Sequence, residues 1–335
     1  MTDKQNALEI IRFGKPERVA SRFPSHTLSY HGANHQGYGD AGMDDGHARP
    51  TGSVWEDVWG TVWMKEYPGV MGFPKRGPLH CPGALGTYAW PDANDERICA
   101  RIYKSAEAFA QKDEKFLCGS HRDTLWEKSY MLAGMEGMMG YFYEEPECAR
   151  EILARIMDFQ LKIAAHYASV GIEMAILGDD LGTQRSLLLG MDIFDEFLRP
   201  EYARLFNFYK SRGILVSFHS CGHIEPLLES FVGLGVDVLN PVQATANDIA
   251  RVICVTDNRM ALEGGVSSGL VDSGPVDKIN EAVKHAIETL GPRGGYFCAP
   301  DQAIPFPAEH VEAFSRAVEK YGRYENSRLV PALTN

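Results

Sequence analysis

Long hydrophobic runs are missing from this sequence of 335 residues. A transmembrane helix needs about 18 or more consecutive apolar residues, and no stretch of the chain approaches that length. The first residues, Met1–Asn6, also lack the basic-then-apolar order of a signal peptide. We therefore expect a cytoplasmic protein without a membrane segment.

Positive charge is scarce in the chain. There are 33 Lys and Arg residues against 45 Asp and Glu residues, which gives a net charge of −12. A chain with this charge repels polyanions, so we expect no broad surface for nucleic acid or for an anionic membrane. The glycine-rich motifs of nucleotide-binding loops and the Gly-x-Ser-x-Gly motif of hydrolases are absent as well. Neither nucleotide binding nor serine-hydrolase chemistry has support in the sequence.

The cysteines show no disulfide framework. There are seven of them, scattered at irregular intervals, and an odd number cannot all pair. Disulfides are also rare in a reducing cytoplasm. We therefore expect these cysteines to be small buried side chains or metal ligands.

Short apolar runs alternate with helical patterns through most of the chain. This order predicts parallel strands joined by right-handed crossover helices. The strands are predicted at residues 19–28, 116–121, 173–177, 214–218, 236–239, 260–262 and 295–297. Seven such strands favour an α/β fold, a closed (β/α)8 TIM barrel that spans residues 1–335 as a single domain with one strand unplaced.

Residues 29–97 interrupt the alternation. The segment is rich in Gly and His and contains Trp55, Trp59, Trp63 and Trp90. Loops of this length inside a compact domain are usually functional or disordered, and four tryptophans argue against disorder. We expect a long irregular elaboration that forms a lid or wall over the barrel mouth.

Polar side chains follow most of the predicted strands. Because a TIM barrel carries its active site at the C-terminal ends of its strands, these side chains are expected to share one rim. They are His121, Asp179, Asp180, His219, Cys221, Asn240, Gln243, Glu263 and Cys298.

Three of these residues have the chemistry of zinc ligands. His219 and Cys221 are two residues apart at a strand end, so their side chains point to the same side, and Cys298 follows a strand two units later. One imidazole and two thiolates suit Zn²⁺, and three protein ligands leave a fourth position open, as catalytic sites require. In the alternative interpretation both cysteines pack as small apolar side chains and His219 is a hydrogen-bonded rim histidine.

The other polar residues of the rim are candidates for catalysis or substrate binding. Adjacent residues in extended backbone point in opposite directions, so at most one of Asp179 and Asp180 should face the site. That carboxylate could be a base, a fourth zinc ligand or a group that orients a ligand, and the alternative role is a helix N-cap. The remaining candidates are His121, Asn240, Gln243 and Glu263.

Three stretches resemble the uroporphyrinogen decarboxylase superfamily: Gly178–Gly182 (GDDLG), Phe218–His223 (FHSCGH) and Asp237–Gln243 (DVLNPVQ). The resemblance implies a single (β/α)8 barrel. The Arg-Gln-Ala-Gly-Arg signature that holds substrate propionates in the decarboxylase itself has no counterpart, because Val19–Ser25 occupies the equivalent place. His219, Cys221 and Cys298 are instead similar to the His-x-Cys…Cys zinc motif of the corrinoid (cobalamin) methyltransferases in this superfamily.

This resemblance implies a zinc-dependent methyltransferase that moves a methyl group between a small substrate and a corrinoid carried by a partner protein. The Trp-rich segment is similar to enzymes that demethylate methoxylated compounds, so the favoured reaction is O-demethylation that methylates Co(I). One alternative is transfer from methylcobalamin to a thiol such as coenzyme M, with Arg122 or Arg185 binding the sulfonate. The other is a metal-free lyase of the decarboxylase type.

Overall fold

A computed structural model describes residues 1–40, 49–109, 114–325 and 328–329. The strands are β1 (Ser25–Ser29), β2 (Val54–Glu56), β3 (Val62–Met64), β4 (Phe73–Arg76), β5 (Phe116–Asp123), β6 (Met174–Gly178), β7 (Leu215–His219), β8 (Val238–Val242), β9 (Ala261–Val266), β10 (Tyr296–Pro300), β11 (Tyr324–Glu325) and β12 (Arg328–Leu329). The helices are α1 (Asp3–Ile11), α2 (Glu96–Phe109), α3 (Trp126–Ala133), α4 (Met135–Glu144), α5 (Pro146–Ser169), α6 (Met191–Ile193), α7 (Arg199–Lys210), α8 (Leu228–Leu234), α9 (Ile249–Thr256), α10 (Ser268–Ser273), α11 (Val276–Leu290) and α12 (Ala308–Tyr321). Within the described ranges, no helix combines the length and the apolar character needed to cross a membrane.

Seven parallel strands form the central sheet, in the order β1-β5-β6-β7-β8-β9-β10. At least one helix lies between each strand of this sheet and the next, as the alternation predicts. Ala20 pairs in parallel with Phe297 of β10, and the backbone N–H of Cys298 donates to the carbonyl of Ala20 over 2.8 Å. Because residues 21–24 connect Ala20 to Ser25 at the start of β1, this bridge connects the two edges of the curled sheet. The fold is therefore the predicted TIM barrel, and the strand predicted at residues 19–28 is split into the Ala20 bridge and β1.

The barrel interior is filled by an apolar cluster at one end. Its members include Phe116, Met174, Val238, Ala261 and Phe297 from the strands and Ile10 from α1. These strand residues stand at or next to the first position of their strands, so α1 covers the N-terminal end of the barrel. The opposite, C-terminal rim is left for polar side chains.

Neighbouring residues in the same strands face outward. Leu177, Phe218, Leu239 and Tyr296 belong to the larger apolar layer between the sheet and the helices. Burial on both faces explains why the strands are almost continuously apolar in sequence. At the C-terminal rim the same alternation decides which polar side chains enter the barrel mouth.

The segment between β1 and α2 is partly regular, which differs from the wholly irregular elaboration expected at residues 29–97. β2, β3 and β4 form an antiparallel sheet, in which Trp55 pairs with Trp63. Aromatic cross-strand pairs of this kind stabilise short strands. His35 Nε2 lies 2.6 Å from Asp123 Oδ2 at the end of β5, so the segment contacts the C-terminal rim. Residues 41–48 of the segment lie outside the described residues.

Candidate metal centre

Asp180, His219 and Cys221 converge at the C-terminal rim, at the ends of β6 and β7. Cys221 Sγ lies 3.2 Å from His219 Nε2, and His219 Nε2 lies 3.6 Å from Asp180 Oδ1. The three ligand atoms are all within 4.8 Å of one another. A carboxylate, an imidazole and a thiol at these distances fit around one Zn²⁺ ion, whose bonds to such atoms are about 2.0–2.3 Å long. We call these three residues the mouth group.

Asn240 sets the orientation of the His219 ring. His219 Nδ1 lies 2.6 Å from Asn240 Oδ1. An amide oxygen accepts hydrogen bonds and does not donate them, so Nδ1 carries the proton. The lone pair of Nε2 is therefore presented toward Cys221 and Asp180, as in histidines that bind metal.

Hydrogen bonds hold the turn that carries Cys221. The backbone N–H of Cys221 donates to Asp180 Oδ1 over 2.9 Å, and that of Gly222 donates to Gln243 Oε1 over 3.0 Å. Gln302 Nε2 donates to Cys221 Sγ over 2.7 Å. Burial, with a further contribution from Asp180, raises the pKa of Cys221 to about 12. Without a cation beside it the thiol is protonated at neutral pH, whereas a bound metal ion deprotonates it.

Cys298 does not join the mouth group. Phe297 faces the barrel interior, so Cys298, one residue later, faces the helices and packs in the apolar layer with Tyr296. Cys298 is fully buried there, and burial raises its pKa to about 12. The structure thus does not assemble the expected trio with His219 and Cys221, and Asp180 lies in the third position instead.

His121 also faces the helix layer, contrary to the expectation that it lies at the rim. Its Nδ1 lies 2.6 Å from Gln160 Oε1 and its Nε2 lies 2.5 Å from the Tyr209 hydroxyl. Burial lowers the pKa of His121 to about 4, so the ring is neutral at neutral pH. Both ring nitrogens are engaged, and the residue ties β5 to α5 and α7.

Asp179 and Asp180 point in opposite directions, in agreement with the alternation of extended backbone. Asp179 is buried and accepts hydrogen bonds from the N–H of Leu125 (2.7 Å), the N–H of Glu127 (2.8 Å) and the hydroxyl of Tyr202 (2.6 Å). The two amides belong to the beginning of α3. Asp179, which follows β6, therefore caps α3, the helix that follows the preceding strand β5. Its side chain does not face the barrel mouth.

Glu263 lies in the wall of a cavity of about 490 Å³ that also reaches His219 and Asn240. Burial raises the pKa of Glu263 to about 7 against the opposing effect of Arg22. The expected site residues that the structure brings together around the mouth group are Asp180, His219, Cys221, Asn240, Gln243 and Glu263. Those that it places elsewhere are His121, Asp179 and Cys298.

Three further residues at this rim were not among those expected from the sequence. Gln302 contacts Cys221, and Arg22 lines the cavity. Glu127 in α3 has a pKa raised well above its usual range by burial and by the carboxylates around it, and the Tyr130 hydroxyl donates to it over 3.1 Å. Gln302 follows β10 and Arg22 follows the Ala20 bridge, so their positions after strand residues could have marked them as rim candidates. Glu127 lies in a helix, where no such position in the sequence marks it.

The sequence profile of the family "Uroporphyrinogen decarboxylase (URO-D)" matches residues 96–321. This range is more than half of the chain, and the chain therefore belongs to the uroporphyrinogen decarboxylase family. The predicted resemblance is confirmed at this level. No curated protein matches the sequence.

One solved structure extends the likeness in fold to nearly the whole chain. A methyltransferase from Methanosarcina mazei is 16% identical, has a TM-score of 0.70 and is matched over 95% of this chain and 98% of that chain. At this identity the likeness shows a shared fold. A dihydropteroate synthase from Xanthomonas albilineans, solved with 4-aminobenzoic acid, is 13% identical with a TM-score of 0.34, over 47% of this chain and 58% of that chain. This second likeness is too slight to bear on function.

Proposed function

We propose that this protein is a zinc-dependent methyltransferase that moves a methyl group between a small substrate and a corrinoid carried by a partner protein. The favoured reaction is O-demethylation of a methoxylated aromatic compound. In this reaction the O–CH₃ bond breaks, the methyl group passes to Co(I) of the corrinoid, and the leaving oxygen takes a proton. The methyltransferase from Methanosarcina mazei, which shares the barrel, supports methyl transfer as the class of reaction.

The observation that carries the proposal is the mouth group of Asp180, His219 and Cys221. Its oxygen, nitrogen and sulfur atoms are donors that Zn²⁺ accepts, and they lie within 4.8 Å of one another. Among the described residues the group has three members, which leaves a coordination position for a substrate oxygen. Three protein ligands and one open position characterise catalytic zinc sites.

Zinc bound by these residues supplies Lewis-acid chemistry, since it draws charge from an ether or phenol oxygen and makes that oxygen a better leaving group. The residues of the chain prepare this chemistry. Asn240 holds the His219 ring, and Gln302 donates to the Cys221 sulfur and withdraws part of its electron density. Asp180, a carboxylate in place of a second thiolate, makes the ligand set harder, which favours an oxygen atom over a thiol as the bound substrate atom.

The cavity beside the mouth group has room for an aromatic ring. It has a volume of about 490 Å³ and extends from His219 and Asn240 to Phe306 and Phe314. Aromatic and aliphatic walls hold a ring through contact area and exclude water. The methoxy group of such a substrate belongs at the polar end, beside the mouth group, where the corrinoid protein must also dock.

Elemental analysis of the full-length protein before and after chelation is the first test. We expect about one zinc per chain. The zinc-loaded protein should methylate cob(I)alamin with methoxybenzenes or methoxybenzoates as donors, measured by the absorbance change that accompanies methylcobalamin formation. Chelation should abolish the reaction and added zinc should restore it.

Other outcomes would revise the proposal in defined ways. A protein that is fully active without zinc contradicts it and favours the metal-free lyase. Transfer that occurs from methylcobalamin to a thiol, with no reaction of methoxylated donors, contradicts the favoured direction and identifies the thiol methyltransferase.

A further inference from the structure

The barrel has a seam at residues 21–24, between the Ala20 bridge and β1. Ser21 and Arg22 of this segment line the cavity beside the mouth group, which has a polar end and an apolar end. The polar end includes His219, Asn240 and Glu263. The apolar wall includes Val271, Ile304, Phe306, Val311 and Phe314.

Arg22 is the one Lys or Arg side chain among the described residues that line this cavity. It is exposed, and no residue within the described ranges forms an ion pair or a hydrogen bond with its guanidinium group. Arg122, one of the two arginines expected to bind an anion, is instead engaged with Asn34 Oδ1 over 3.0 Å. An unpaired guanidinium at the edge of a cavity is suited to bind a carboxylate through two hydrogen bonds.

Among the described residues, neither of the two carboxyl groups in the cavity wall forms an ion pair with Arg22. Asp301 is buried and accepts a hydrogen bond from the backbone N–H of Ser268 over 2.9 Å. Burial raises the pKa of Glu263 to about 7, so this carboxyl group is neutral in a large share of the protein molecules at pH 7. The Arg22 guanidinium therefore keeps its N–H groups available to an anion in the cavity.

Further positively charged side chains lie beside residues 21–24 in a second cavity, which we call the outer cavity. The outer cavity, of about 690 Å³, shares Arg22 with the first. The other charged residues that line it are Arg18, Lys115, Arg323, Asp3 and Glu319. In a chain with a net charge of −12, this local excess of positive charge attracts small anions to the seam.

We propose that the cavity binds a small aromatic carboxylate, with the carboxylate on Arg22 and the ring against Phe306 and Phe314. This inference rests on the proposed function, because it identifies a methoxylated benzoate as the class of methyl donor. The methoxy group then extends toward His219. A neutral ether of the same size lacks the contact with Arg22 and binds more weakly.

The test compares 3-methoxybenzoate with 3-methoxybenzyl alcohol, a neutral molecule of similar shape, by calorimetric binding to the zinc-loaded protein in the absence of corrinoid. For Arg22→Gln we expect a rise in the Kd of 3-methoxybenzoate of about 10-fold or more, as for loss of a charge-assisted hydrogen bond, and a change of less than about twofold for the alcohol. Arg22→Lys should recover part of the affinity. Arg323→Gln is the matched control, since it removes one charge from the outer cavity alone.

Unchanged binding of 3-methoxybenzoate to Arg22→Gln, or equal losses for the acid and the alcohol, would overturn the inference. An equal effect of Arg323→Gln would also overturn it, because attraction would then come from the general field of the seam. Binding through Arg22 without methyl transfer to cob(I)alamin supports the carboxylate site and counts against the proposed function, so the two failures are distinguishable.

Discussion

The inward and outward faces of the strand ends carry the same kinds of polar residue and use them differently. The inward set is the mouth group, Asp180, His219 and Cys221. The outward set is Asp179, His121 and Cys298. The inward side chains are partly exposed, and their ligand atoms lie within 4.8 Å of one another. The outward side chains are buried in the layer between sheet and helices. Each set contains one carboxylate, one imidazole and one thiol, so residue type alone does not distinguish a metal site from structural contacts.

The neighbours Asp179 and Asp180 show what a shift of one residue does. Asp180 accepts a hydrogen bond from the backbone of Cys221 and faces His219. Asp179 accepts three hydrogen bonds from α3 and α7 and is closed off from solvent. Changes to the inward set should therefore alter zinc binding, and changes to the outward set should alter stability.

The largest contrast is expected between the two cysteines. Cys221→Ala should weaken zinc binding on the order of 1,000-fold, or about 4 kcal/mol, because it removes a ligand. Cys298→Ala should leave the zinc content at the wild-type value, since Cys298 packs against apolar side chains. Metal analysis after dialysis against a weak chelator checks both variants. Loss of zinc from Cys298→Ala would place that cysteine in the site.

Asp179→Ala should reduce the free energy of unfolding by about 3 kcal/mol, because three buried donors lose their acceptor. Urea denaturation of the zinc-free proteins measures the effect. Asp180→Asn is the control and should change the stability of the zinc-free protein by less than about 1 kcal/mol while lowering zinc affinity. Equal stability of Asp179→Ala and the wild type would contradict the capping role.

His121 should make stability depend on pH. Its pKa is lowered to about 4 in the folded protein, so the unfolded chain binds more protons between pH 6.5 and pH 4. Stability from this residue is complete above pH 6.5 and falls with decreasing pH through this window, by up to about 3 kcal/mol. His121→Phe should flatten the corresponding part of the curve of unfolding free energy against pH. A curve identical to that of the wild type would show that His121 is not buried in the neutral form.

The smallest effect is expected at Asn240, which contacts the inward set without belonging to it. Asn240→Ala should weaken zinc binding by about 10-fold, because His219 is no longer held in one orientation. Competition with a fluorescent zinc chelator measures this loss. Asn240→Asp retains an acceptor for His219 Nδ1 and should lose less affinity. A loss as large as that of Cys221→Ala would mean that Asn240 does more than orient the ring.

Much of the barrel and part of the site follow from local patterns. The apolar periodicity of residues 276–290 and 308–321 is strong, and helices α11 and α12 form there. The spacing of His219 and Cys221 placed them correctly on one side, since side chains two residues apart in a strand share a face. The antiparallel sheet β2-β3-β4 was missed because its strands are short and depend on pairing with one another.

Sequence by itself determined the order of strands and helices, the polar rim and the family, because these depend on periodicity and on short motifs. Tertiary structure decided which face each rim residue occupies. The strands are apolar on both faces, so no hydrophobic alternation marks whether Cys298 or its neighbour Phe297 points inward. That choice depends on the register in which β10 pairs with β9 and with Ala20 as the sheet closes. The same closure brings Arg22 to the cavity beside the mouth group.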